Sequence, residues 1–83
     1  MANDSLDKAR KEINEIDKEM AALFVRRMRA AETVAEYKKE RGLAILDAAR
    51  EEQVIRQNSV LVENERIREF YVRFLRDCGT MIV

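Results

Sequence analysis

The sequence predicts an all-α fold: one long helix, two shorter helices, and association with a second copy of the chain. Three observations predict it. The 83 residues contain no proline and only two glycines. They are 39% charged and 47% apolar, a balance that suits long helices better than strands or turns. The first half of the chain also carries an apolar seam at heptad spacing. The length leaves room for a single domain, 1–83, too small to bury much of its surface without help from a partner.

The long helix comes first. From Leu6, heptad positions a and d fall at Leu6, Ala9, Ile13, Ile16, Met20, Leu23, Arg27, Ala30, Val34 and Tyr37, all apolar except Arg27. Asn3, Asp4 and Ser5 offer N-caps, Asp4 and Asp7 suit the positive end of the helix dipole, and Lys38, Lys39 and Arg41 suit its negative end before Gly42 stops it. A helix from about Asp4 to Arg41 is on the order of 55 Å long, against a radius of gyration of about 12 Å for a compact chain of this size. It is therefore expected to project, with a second chain covering its seam in a two-fold dimer of antiparallel long helices.

After the short connection Gly42-Leu43-Ala44-Ile45-Leu46, Asp47 caps a brief second helix whose first turn holds Glu51 and Glu52. Its apolar face is Ala48, Val54 and Ile55, and it is expected to fade near Asn58-Ser59. Asn64 caps a third helix in which Ile67, Phe70, Tyr71, Phe74, Leu75 and Cys78 form an apolar stripe at helical spacing.

Several function classes are excluded. Sixteen basic and sixteen acidic residues with no histidine give no net charge, which argues against a generic nucleic-acid or membrane binder. No apolar run approaches the roughly 20 residues of a membrane span, and MANDSLDKARKE lacks the apolar stretch of a secretory signal, so a cytoplasmic protein is expected. A lone cysteine, Cys78, forms no internal disulfide, and with no histidine there is no metal site of the usual kind. The chain offers no Ser/His/Asp set, no Cys/His pair and no glycine-rich phosphate loop. Any chemistry must use no cofactor and be chiefly electrostatic.

The informative residues are charges set where apolar side chains are expected. Arg27 interrupts the long seam, either to fix its register and snorkel or to hold a ligand. Lys38 lies eleven residues further on, turned by only ~20° and about 16 Å along the axis, so a small anion fits between the two cations. Arg10 is roughly 25 Å from Arg27 on the same chain, too far to join them. An antiparallel partner crossing near Met20 to Phe24 brings its own Arg10 to that stretch, giving two equivalent basic sites per dimer. On the second helix Asp47 and Glu51 have ordinary roles as cap and first-turn acid, yet a carboxylate turned into a bundle needs a partner. Eleven arginines against five lysines suit two-pronged grips on carboxylates.

The ordered pattern Arg10-x-x-Ile13-x-x-Ile16-Asp17, Arg26-Arg27, Val34-x-x-x-Lys38 and Ile45-x-Asp47-x-x-Arg50-Glu51 resembles the all-helical class of chorismate mutases. The resemblance runs from about Leu6 to Ile55, with a weaker match in the third helix. It implies an intertwined homodimer of three-helix protomers that converts chorismate to prephenate, in the shikimate pathway to aromatic amino acids, by a Claisen rearrangement without cofactor or covalent intermediate. The resemblance further implies that Arg10 of one chain and Arg27 of the other bind the two substrate carboxylates. By the same resemblance Lys38 donates to the ether oxygen, Arg50 completes the cationic wall, Glu51 holds the ring hydroxyl, Asp47 orders the helix start, and Val34 excludes water.

The chain departs from that pattern in places. Ala44 stands where the family usually has proline. Cys78 and Ile82 stand where its third helix commonly has a serine and a glutamine that assists the lysine, and losing such a donor is expected to weaken catalysis by about 10² or more. A pyruvate lyase acting on isochorismate and a non-catalytic dimerisation or regulatory module are the other functions this scaffold would fit.

Overall fold

The structure, a computed structural model, describes the backbone of residues 2–80 and the side chains of residues 4–79. Three helices follow one another: α1 (Ala2–Glu40), α2 (Ala48–Ser59) and α3 (Glu65–Thr80). Among the described residues there is no strand, and no helix is long and apolar enough to cross a membrane. The chain divides into two compact units, Met1–Ala31 and Glu32–Val83.

In the first unit the helix already runs at Ala2, so Asn3, Asp4 and Ser5 lie inside it rather than capping it. Asp4 stands in the first turn, where its carboxylate favours the exposed N–H groups. The seam residues Leu6, Ile13, Ile16, Met20 and Leu23 remain between 43% and 57% exposed, although every one is a large apolar side chain.

The second unit begins with the last turns of α1. Gly42 adopts φ +65°, the left-handed conformation that costs glycine least. There Leu43 N donates to Lys38 O at 2.8 Å and Gly42 N to Lys39 O at 3.2 Å, the two reversed bonds of a Schellman stop. Asp47 starts α2 as expected, its backbone extended and its carboxylate accepting from Arg50 N at 3.1 Å. Asn64 does the same for α3, accepting from Ile67 N at 3.0 Å.

The end of α2 needs neither proline nor glycine. Asn58 Nδ2 donates to Val54 O, Ser59 Oγ to Arg56 O, and the next turn closes with Leu61 N donating to Asn58 O. Arg68 then reaches back from α3, with Nε on Val62 O at 2.8 Å and Nη2 on Glu63 O at 2.9 Å. One guanidinium thus satisfies two loop carbonyls and fixes where α3 returns.

α2 and α3 pack around Ile55, Leu75 and Cys78, the buried apolar side chains of the described residues. Arg76 Nη1 and Glu52 Oε1 bridge the two helices at 2.8 Å, but both side chains are about half exposed, so the pair contributes at most about 1 kcal/mol. Only part of the α3 stripe is covered. Leu75 and Cys78 are 7% and 0% exposed, whereas Ile67, Phe70 and Phe74 are 58%, 60% and 44% exposed. The stripe is wider than the short apolar face of α2, so its Ile67-Phe70-Phe74 edge faces away from that contact.

Candidate functional site

In the second unit, an open cleft of about 570 Å³ lies between the last turns of α1 and the first turns of α2. Val34 and Lys38 line it from α1, and Asp47, Ala49, Arg50, Gln53 and Arg56 line it from the cap and body of α2. The spacing explains the lining. Val34 and Lys38 are one helical turn apart, and Asp47, Arg50, Gln53 and Arg56 follow each other at intervals of three, a single row along the helix surface.

Lys38, Asp47, Arg50 and Gln53 are each held by an identifiable bond. Lys38, half-buried, donates from Nζ to Ile45 O at 3.3 Å, tying the end of α1 to the connection that leads into α2. The Asp47 carboxylate is committed to the α2 N-terminus through Arg50 N. Arg50 Nη1 donates to Gln53 Oε1 at 2.9 Å, which braces the guanidinium with a neutral partner and leaves its charge uncompensated.

The electrostatics follow from the lining. Lys38, Arg50 and Arg56 are cationic, Asp47 is the single acid, and no lining residue is a Ser, Cys or His. Such a cleft can grip a small molecule bearing more than one negative charge, and it can stabilise negative charge as that charge develops. It offers no hydroxyl, thiol or imidazole nucleophile. Among the described residues no cluster of His, Cys, Asp and Glu could hold a metal ion.

Of the six residues singled out in the sequence, the structure brings Lys38, Asp47 and Arg50 together in this cleft. Glu51 is half-buried on the neighbouring face of α2, where it rests on α3. A Cβ placed on Gly79 would come within 2.7 Å of Glu51 Oε1 and 3.1 Å of its Cδ, so the missing side chain of Gly79 makes room for the carboxylate. Arg10 and Arg27 belong to the first unit, Arg10 exposed and Arg27 half-buried. Cys78 is wholly buried between α2 and α3, and Ile82 lies outside the described residues. Sequence reasoning missed Gln53 and Arg56. The signal available was their place in the three-residue row that starts at Asp47 and Arg50.

The family model described as chorismate mutase type II matches residues 9–78, a span that includes all six of those candidates. No curated protein and no solved structure matches the chain.

Proposed function

The chain belongs to the chorismate mutase type II family and is an isomerase acting on chorismate; from that premise we propose that the cleft at Lys38 and Arg50 is where the substrate rearranges to prephenate. The observation that carries this reading is the lining itself: three cations, one acid already spent on a helix cap, and no hydroxyl, thiol or imidazole. A Claisen rearrangement of a dianion asks for that combination. The substrate must be folded so that its two reacting carbons approach to ~3 to 3.5 Å, and the breaking C–O bond must meet fixed positive charge.

Lys38 Nζ donates to the ether oxygen as negative charge grows on it. Its bond to Ile45 O is long and can be exchanged for the substrate oxygen at little cost. Arg50 holds a carboxylate side of the dianion, Val34 excludes water, Asp47 orders the start of α2, and Glu51 accepts from the ring hydroxyl. Arg27 and the Arg10 of a second chain grip the carboxylates.

The second chain is supported by what one chain leaves uncovered: the α1 seam, and Phe70 and Phe74 on α3 at 60% and 44% exposed. Fully burying a side chain of this size is worth roughly 1.5–3 kcal/mol, so an intertwined homodimer stabilises what a small core cannot. The chain then acts as one domain, 1–83, in the cytoplasm.

Purified protein incubated with chorismate, with products separated by chromatography, tests the reading. Prephenate is the expected product. Absence of prephenate together with abundant pyruvate from isochorismate would replace the mutase with a lyase.

A second expected result concerns Gly79. Gly79→Ala forces the Glu51 carboxylate, the end of a flexible side chain, off its seat, while alanine favours the helix by about 0.5–1 kcal/mol. The melting temperature should hold or rise. Activity should fall by about tenfold or more, since even ångström-scale misplacement of a group that positions the substrate is costly. Unchanged kcat/KM in this variant would show that Glu51 does not need its present position.

A further inference from the structure

The bond between Arg50 and Gln53 fixes more than the arginine. A glutamine amide has an acceptor end and a donor end, and exchanging them by a half-turn ordinarily costs little. Here Oε1 faces Arg50 Nη1 at 2.9 Å. The reverse orientation would set the amide NH2 against a guanidinium N–H, donor against donor, which neither group can satisfy. The acceptor end is therefore taken by Arg50, and the donor end is what Gln53 has left to present. Gln53 lines the same cleft as Lys38, and none of the described hydrogen bonds uses its Nε2.

From this we infer that Gln53 is a substrate-facing donor: its amide NH2, oriented by Arg50, donates to the substrate oxygen on which negative charge develops, alongside Lys38. The inference rests on the cleft being the site of rearrangement. It adds a residue to that site and a reason for the pairing. Arg50 serves two purposes, as a cation toward the dianion and as the group that sets the polarity of its neighbour. A neutral donor held in advance strengthens its bond as charge accumulates, without adding a charge that the empty cleft must solvate.

The opposite view is that Gln53 only braces Arg50. Gln53→Glu separates the two, because a carboxylate is the better acceptor for a guanidinium but has no hydrogen to give. If Gln53 is a donor, kcat of Gln53→Glu should fall about 10²-fold at neutral pH, the scale of losing one such donor. The ratio of variant to parent kcat should then climb as the pH falls toward the ordinary carboxyl range of about 4.3, where a protonated Glu regains an O–H. Gln53→Met should lose activity without that recovery. Weaker ground-state attraction for the dianion would appear in KM and is read separately.

A parent-like kcat for Gln53→Glu at neutral pH would overturn the inference, as would a reduced kcat whose ratio to the parent is flat with pH. Lys38→Ala run beside it tells the two failures apart. If Lys38→Ala is inactive and Gln53→Glu is parent-like, the donor role alone is wrong. If Lys38→Ala stays active, the cleft is not the site. Gln53 is exposed on α2, so all these chains should fold, which helical circular dichroism checks.

Discussion

Lys38→Ala is expected to lower kcat by about 10² to 10³, the scale of removing a donor from a developing oxyanion, while changing stability by no more than about 1 kcal/mol. The two effects separate because the side chain has separate duties. In the free protein its ammonium makes one long hydrogen bond, 3.3 Å to Ile45 O, and the backbone stop at Leu43 and Gly42 holds the end of α1 without it. In the proposed reaction it faces the atom that gains charge. Steady-state kinetics with chorismate and thermal melting of the same preparation check the pair of expectations. A parent-like kcat would remove Lys38 from the chemistry, and a collapsed melting transition would give the lysine a structural role that its single exposed bond does not suggest.

Much of this arrangement could be read from the residues, for reasons that are local. Asp47 and Asn64 start their helices through bonds to residues three positions on, Arg50 N and Ile67 N, so a cap and its partner sit within one short stretch of sequence. Gly42 ends α1 because the conformation there is one other residues adopt reluctantly. The charges at Lys38, Asp47 and Arg50 stood out because their spacing resembled a known pattern.

What could not be read depends on contacts between helices. The stripe on α3 gave no sign of which edge α2 would cover, and α2 covers Leu75 and Cys78 while leaving Ile67 and Phe70 open. Arg50 and Glu51 are neighbours in the sequence. A turn of about 100° per residue sends one to the cleft and the other onto Gly79. Gln53 and Arg56 carry no apolar period, and only the row along α2 that lines the cleft marks them. α1 starts earlier than Asn3, Asp4 and Ser5 suggest, because these residues are good caps by composition and composition does not say which turn the helix begins on.

The largest remaining effect concerns the cations outside the cleft. Arg10 lies in the first unit, and the proposed site takes this residue from a second chain, so each dicarboxylate is held by two polypeptides. Arg10→Ala should then be nearly inactive alone, as should Lys38→Ala, because in a homodimer of either variant both sites lack a cation. A heterodimer of the two is different. One of its sites carries both substitutions and the other carries neither. Random exchange of equal amounts makes half the dimers mixed, and half of their sites intact, so about a quarter of the parent activity should return. The most direct measurement is therefore the activity of Arg10→Ala and Lys38→Ala chains before and after they are mixed, with mass spectrometry of differently tagged chains confirming exchange. Recovery toward a quarter of the parent rate is the predicted result; no recovery in a sample shown to contain heterodimers would contradict the shared site.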